Sequence, residues 1–324
     1  MTIVVTGVAG FIGSHVALAL LARGDRIVGL DNLNAYYDTR LKQARLDRLL
    51  GQPGFAFHAL DISDKDAVAA LFARYPDVTE IVHLAAQAGV RHSLVDPYSY
   101  VQSNVMGHLV MLEAARGLRG LRHFVYASSS SVYGANTALP FQETDPVDRP
   151  VSLYAATKRA DELISHTYAH LFGLPQTGLR FFTVYGPWGR PDMAYFSFAK
   201  AILAGETITL FDDGRLKRDF TYIDDIVAGV VGCLAHPPAG DVPARLLNIG
   251  NHRAEEVREL VALLAHSLGR PAITRSVPRP LLDVEVTYAD VTAIGALTGF
   301  VPATPLSEGV PRFVAWFRGW NGAG

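Results

Sequence analysis

Short β-branched runs alternate with longer helix-patterned stretches along the first half of the chain. The runs are Ile3 to Thr6, Arg26 to Leu30, Phe55 to Ala59, Glu80 to Leu84, His123 to Ala127 and Thr177 to Arg180, and helix patterns fall between them at Ile12 to Arg23, Lys65 to Arg74, Ser99 to Gly117 and Leu153 to Phe172. Parallel strands cannot be joined by a tight turn, so each needs a crossover, and crossover helices cover both faces of the sheet. The predicted fold class is therefore α/β, a doubly wound parallel sheet of the Rossmann type. After Arg180 the texture changes to Gly/Pro-punctuated loops such as Tyr185-Gly-Pro-Trp-Gly-Arg-Pro-Asp192, mixed with shorter elements, which predicts a smaller C-terminal lobe. The expected division is 1–180 and 181–324, with a strand near 246–249 returning to the main sheet.

The first run ends at Gly7-Val-Ala-Gly10-Phe-Ile-Gly13, which opens the first helix. Glycines so placed permit a tight turn, let a pyrophosphate approach the backbone and pack helix on strand, with the helix N-terminus facing the anion. The second run is followed by Asp31, eighteen residues beyond Gly13. A carboxylate there accepts hydrogen bonds from an adenosine ribose and repels a 2′-phosphate, so the expected cofactor is NAD rather than NADP. A turn carboxylate at a strand end is the alternative for Asp31. Asp61 and Ile62, after the third run, are placed to meet an adenine; a helix cap before Lys65 is the other reading.

Tyr154-Ala-Ala-Thr-Lys158 puts a phenol and an ammonium on one helical face. A free phenol titrates near 10 and is a poor base at neutral pH, but a neighbouring ammonium favours its ionised form. Upstream, Ser128-Ser129-Ser130-Ser131 closes the fifth run. Serine clusters commonly mark turns in which hydroxyls bond nearby backbone.

Composition narrows the class. A formal net charge of −2 and a pI near 6.6 give no nucleic-acid or polybasic membrane footprint, so small diffusible partners are expected. A single cysteine, Cys233, excludes an intramolecular disulfide and a Cys-based zinc site, and the eleven histidines show no metal spacing. The N-terminus reads as a strand without a leader pattern, and no apolar run approaches the roughly 18 residues of a membrane span. These features suggest a soluble, cytoplasmic protein without a metal.

Taken over almost its whole length, the sequence resembles the extended short-chain dehydrogenase/reductase family, and within it the NAD-dependent nucleotide-sugar epimerases of the UDP-glucuronate 4-epimerase kind. The resemblance rests on the glycine loop, Asp31-Asn-Leu-Asn-Ala-Tyr-Tyr-Asp38, His83-Leu-Ala-Ala-Gln-Ala-Gly-Val-Arg91, the serine run, Tyr154-x-x-x-Lys158, Arg180-Phe-Phe-Thr-Val-Tyr-Gly-Pro-Trp-Gly-Arg190 and Arg218-Asp-Phe-Thr-Tyr-Ile-Asp-Asp225. It implies a UDP-sugar substrate oxidised at C4 by bound NAD and reduced again on the opposite face, with Tyr154, Lys158 and Ser129 as the catalytic group. It implies cofactor contacts from Gly7, Gly10, Phe11, Ile12, Gly13, Asp31, Asn32, Asp61, Ile62, Leu84, Ala85, Ala86 and Asn104, as well as Tyr154 and Lys158. Substrate contacts are implied for Gln87, Arg91, Ser129, Ser130, Ser131, Tyr154, Thr183, Arg190, Arg218 and Asp283. Related dehydratases and decarboxylases carry an acidic residue just before Val-Tyr-Gly, where this chain has Ser130 and Ser131. A serine hydroxyl cannot serve elimination as an acid or base at physiological pH.

Pro278-Arg-Pro-Leu-Leu-Asp283 departs from the pattern, with Pro280 in place of Gln or Arg and Leu282 in place of glycine. The resemblance also implies a homodimer built on the Ser99 to Gly117 and Leu153 to Phe172 helices, with Val101, Val105, Leu112, Leu163, Ile164 and Leu171 as candidate contacts. Two other functions stay open on the sequence: a 4-epimerase of neutral UDP-sugars, and an inactive NAD-binding regulator.

Overall fold

The computed structural model describes residues 1–280 and 284–322. The first apolar run becomes strand β1 (Thr2–Thr6), buried at every position. It is joined by β2 (Arg26–Asp31), β3 (Phe55–Ala59), β4 (Val78–His83), β5 (His123–Ser129) and β6 (Gln176–Phe181). With strand Ala244–Ile249 these form one seven-stranded sheet in the order 3-2-1-4-5-6 followed by Ala244–Ile249, every pair parallel. Strand order reverses between β1 and β4, so the loops after these two strands part and leave a crevice at their carboxyl ends.

Between residues 183 and 277 three short strand pairs form outside the main sheet. Thr183–Tyr185 pairs with Phe220–Tyr222, Lys217–Arg218 with Glu255–Glu256, and Thr207–Phe211 with Ile273–Val277. The apolar cluster that holds Ile3, Val16 and Leu20 also holds Ile226, Val230 and Phe317, so the two halves of the chain share a core. Helix α1 (Phe11–Ala22) packs on helix Ile223–Leu234 across that junction.

Helix Lys65–Arg74 runs over the residues expected, started by Asp64, whose side chain accepts from the Asp66 and Ala67 amides. Helix Leu153–Phe172 is capped by Ser152 and ends at Gly173, whose φ of +63° suits a glycine. The expected helix Ser99 to Gly117 is instead helix Pro97–Tyr100, a π-helical stretch Val101–Met106, and helix Gly107–Arg116. Two packing demands accompany the wider winding: Gly107 meets Ile62 so closely that a Cβ would lie 2.6 Å from it, and Asn104 is turned inward. Helix Thr39–Asp47 has no counterpart among the sequence expectations, because its buried face includes Lys42 and Arg45 beside Leu41 and Leu46 and shows little apolar periodicity. On the two helices expected to pair subunits, Leu112 is fully buried and Ile164 packs on the same sheet-facing cluster, whereas Val101, Leu163 and Leu171 are exposed. Among the described residues no helix is long and apolar enough to cross a membrane.

Candidate active site

A cleft of about 990 Å³ opens over the carboxyl ends of the central strands. Its floor is the glycine loop. Gly7 has a φ of +69°, and a Cβ on it would sit 2.8 Å from the Ala85 amide nitrogen. A Cβ on Gly13 would lie 2.1 Å from the Gly7 carbonyl oxygen, so the turn closes only with hydrogens at both places. Gly10 starts α1 without a side-chain cap, which leaves the helix N-terminus facing the cleft for an anion.

The end of β2 is stitched to this loop. Asp31 Oδ2 accepts from the Ala9 amide at 3.1 Å and Oδ1 from the Leu33 amide at 2.8 Å. Asn32 Nδ2 donates to Asp61 Oδ2 at 2.9 Å, tying β2 to β3. Burial works against ionisation of Asp61, but the Ser63 amide and hydroxyl and the Asn32 amide hold its carboxyl below the usual range. Phe11, Ile12, Ile62, Leu84, Ala85 and Ala86 line the same wall.

Opposite stand Tyr154 and Lys158, on the first turns of helix Leu153–Phe172. Lys158 Nζ donates to the Ala127 carbonyl at 2.9 Å and to Asp161 Oδ2 at 3.1 Å. The serine run divides into two jobs. Ser128 faces inward and donates to Glu162 Oε1 at 2.6 Å; Glu162 also receives Arg180 at 2.8 and 3.0 Å and Arg159 at 3.0 Å. Ser129 ends β5 and caps the short 3₁₀ turn Ser130–Tyr133, its Oγ accepting from the Ser131 amide at 3.2 Å and donating to the Ser131 hydroxyl at 3.2 Å. Ser129, Ser130 and Ser131 all border the cleft with Tyr154 and Lys158.

The far wall comes from residues beyond β6. Thr183, Arg190 and Arg218 border it, together with Gln87 and Arg91 from the loop after β4. Arg190 lies along Asp192, Nε to Oδ1 at 3.1 Å and Nη2 to Oδ2 at 2.5 Å, and the Tyr36 hydroxyl donates to the same carboxylate at 3.1 Å. Burial opposes the charge of Asp192, but Arg190 outweighs it and holds the carboxyl below its usual range. Burial first, then Asp192, pushes the Tyr36 phenol up to about 12. Arg91 lies over the Phe211 ring at 5.2 Å, and Arg218 donates to the Lys217 and Glu285 carbonyls at 2.8 and 3.2 Å.

Asn104, expected on the cofactor wall, sits behind it instead. It is 1% exposed and clamps the Gln87 backbone, accepting from its amide at 2.7 Å and donating to its carbonyl at 3.0 Å, while also reaching Thr157 Oγ1 at 3.0 Å. Asp283 and Leu282 lie outside the described residues. Sequence reasoning passed over Tyr36, Asp192 and, above all, Arg45. Arg45 is fully buried and donates to the Ala9, Trp188 and Gly189 carbonyls and the Tyr37 hydroxyl, fastening the glycine loop to the loop that carries Arg190. The available signal was a cation interrupting the inner face of a short helix, between Leu41 and Leu46.

Comparison with known proteins agrees with this geometry. Residues 3–250 match the model of the NAD dependent epimerase/dehydratase family. UDP-glucuronate 4-epimerase 5 of Arabidopsis thaliana is 48% identical over 336 residues, covering 99% of this chain and 76% of that protein. Protein CapI of Staphylococcus aureus is 42% identical over 98% of both chains. The crystal structure of UDP-glucuronic acid 4-epimerase from Bacillus cereus in complex with UDP-glucuronic acid and NAD superposes with a TM-score of 0.91 at 33% identity, covering 99% of this chain and 100% of that one. The UDP-glucose 4-epimerase of Thermotoga maritima, solved with UDP-glucose, gives 0.88 at 31% identity, covering 99% and 100%. The matched residues begin in the strand that feeds the glycine loop and end just past the strand that completes the sheet, and this chain belongs to the NAD dependent epimerase/dehydratase family.

Proposed function

We propose that this protein interconverts UDP-glucuronate and UDP-galacturonate by inverting C4 of the sugar. The observation that carries the reading is the composition of the cleft: Tyr154 and Lys158 face a wall of Ser129, Ser130 and Ser131, with Thr183 and Arg190 on the same cleft's border. The cradle fits NAD. Its three glycines leave no room for a Cβ, α1 opens without a side-chain cap, and Asp31 stands beside the loop. Bound there, NAD supplies the reversible two-electron oxidation at C4. Asp31 and Asn32 would hold the adenosine ribose, Asp61 and Ile62 would meet the adenine, and Leu84, Ala85 and Ala86, which line the same cleft, would contact the cofactor.

The chain's own residues manage protons and orientation. Tyr154 takes the proton from the 4-hydroxyl and gives it back to O4 after the planar 4-keto sugar has turned to present its other face, Ser129 holds O4, and the ammonium of Lys158 favours the ionised phenol. Arg218 binds the diphosphate with Gln87, Arg91 and Asp283 around the nucleotide and sugar. Arg190, Thr183, Ser130 and Ser131 receive the C5 carboxylate. Arg190 donates from Nε and Nη2 to the two oxygens of Asp192, a two-point geometry that suits a carboxylate, and the substrate's group would compete for or share that guanidinium. A 4-keto glucuronate is a β-keto acid and loses CO₂ when the bond to its carboxylate aligns with the ketone π system. Pinning the carboxylate keeps that bond out of alignment, and serines in place of an acid deny elimination its proton donor.

Incubating the purified protein with UDP-glucuronate and with UDP-glucose, and identifying the products by NMR, tests the reading. Conversion of UDP-glucuronate to UDP-galacturonate, at least tenfold faster than turnover of UDP-glucose, is expected, about the factor that 1.4 kcal/mol of selective binding supplies. Equal use of both leaves only a generic 4-epimerase. The same reading includes a cytoplasmic homodimer whose lobes divide near residue 180. Exposed Val101, Leu163 and Leu171 on the two long helices support the pairing, and a monomer by light scattering at micromolar concentration refutes it.

A further inference from the structure

Behind the face that carries Tyr154 and Lys158 lies a buried polar cluster that the chemistry above does not use. The Lys158 side chain is 5% exposed and that of Asp161, one turn further along the helix, 1% exposed; they are joined at 3.1 Å. Asp161 Oδ1 is buried and meets no hydrogen-bond donor among the described residues. A charge pair this deep loses most of its hydration, and an unsatisfied carboxylate oxygen adds to the cost. Such a pair is a poor device for stability alone.

The neighbours offer it little. From β4 comes His83, its ring paired with Thr6 Oγ1 at 2.8 Å, and from helix Gly107–Arg116 comes His108, paired with Ser165 Oγ at 2.8 Å. Burial, then the charge of Lys158, brings His83 down to about 3, and burial takes His108 well below the ordinary imidazole range, so both rings are neutral. Tyr126 on β5 is pushed up by burial and stays a phenol. Glu162 adds a like charge, already engaged by Arg180, Arg159 and Ser128. Burial raises the Asp161 carboxyl, while the charge and hydrogen bond of Lys158 pull it down.

An ammonium has three N–H donors. Two are committed to Ala127 and Asp161, which leaves one for the cleft that Lys158 borders. We propose that Asp161 is a positioning residue for Lys158: while the enzyme works, its carboxylate fixes the direction of the ammonium and offsets part of the positive charge felt by the phenol of Tyr154. The proposal rests on Tyr154 and Lys158 forming the reacting pair. It makes Asp161 a brake on phenolate formation wherever its carboxylate is ionised, and its removal an easing of that step there.

The test compares the NAD-loaded wild type with Asp161→Asn, which keeps size and a carbonyl acceptor but cannot ionise, and with Asp161→Ala as the second variant. The acid limb of kcat/KM against pH is expected to move to lower pH by about half a unit or more in both, in the direction set by removing a nearby negative charge. A limb that stays in place overturns the proposal, because a purely structural role changes rate or stability without moving it. Infrared spectra of protein carrying [¹³C]carboxyl aspartate give a readout independent of turnover. A buried carboxyl band that is missing from Asp161→Asn and is ionised through the pH range of the wild-type acid limb supports the proposal; one still protonated there overturns it. Tyr154→Phe separates the two layers. If it retains turnover, the base assignment itself fails; if it is inactive while the Asp161→Asn limb is unmoved, only the role of Asp161 falls.

Discussion

Replacing Glu162 by Gln should unfasten the end of β5 from helix Leu153–Phe172. The Glu162 side chain is fully buried, as is that of Arg180 within 1%. Its two oxygens accept four hydrogen bonds, from Ser128 Oγ at 2.6 Å, Arg180 Nε at 2.8 Å, Arg180 Nη2 at 3.0 Å and Arg159 Nη1 at 3.0 Å. Gln keeps one acceptor oxygen and turns an NH₂ toward a guanidinium that only donates, so Arg180 is left buried with its charge uncompensated. Its other neighbours do not replace the carboxylate: the guanidinium sits over the Tyr133 ring at 4.9 Å and gives one long bond, 3.3 Å, to the Glu143 carbonyl. Removing one partner of a buried ion pair costs about 3–5 kcal/mol. At about 2 °C per kcal/mol for a chain of this size, the melting temperature should fall by roughly 6–10 °C. Scanning fluorimetry with NAD held saturating in both proteins measures it, since unequal loading would itself shift the transition. A fall of less than about 2 °C, under 1 kcal/mol on that scale, refutes the reasoning. A second change, Arg180→Met in the Glu162→Gln background, should recover part of the loss, because it removes the stranded charge.

Other expectations bear on the cleft. Tyr154→Phe should lower turnover by at least about a hundredfold with an unchanged melting curve, the lower bound for a positioned proton-transfer group; activity within a few-fold of wild type would show that Tyr154 is not the base. Arg190→Ala should reduce kcat/KM for UDP-glucuronate by about tenfold or more, the factor that corresponds to about 1.4 kcal/mol, and leave UDP affinity nearly unchanged in calorimetry; a matching loss of UDP affinity points to a nucleotide role instead. Gly13→Ala forces a Cβ to 2.1 Å from the Gly7 carbonyl, so the wild type should purify with NAD bound and the variant without it, as read by absorbance of the acid-released nucleotide. Wild-type levels of NAD in that variant would mean that the turn opens without cost.

The alternation of β-branched runs and helical periods was enough, without coordinates, for a doubly wound parallel sheet, because each parallel strand demands a crossover and the pattern of burial follows. Local chemistry was legible for the same reason. Gly7, Gly10 and Gly13 are constrained by the turn they make within seven residues, and Tyr154 and Lys158 share a face because helix geometry puts them there. Relations across long stretches of chain were not legible. Ser128 looked like one of four equal hydroxyls until β5 turned it toward Glu162, thirty-four residues on. Asn104 carried no sign that a wider helical turn would aim it at the Gln87 backbone rather than the cleft. Arg45 reads as a surface cation in a polar helix, yet it is fully buried and joins loops separated by more than 140 residues. Periodicity and short motifs report what a residue does to its own segment. Which distant carbonyl or carboxylate satisfies a buried charge is settled only when the segments pack, since the cost of leaving that charge unpaired exists only there.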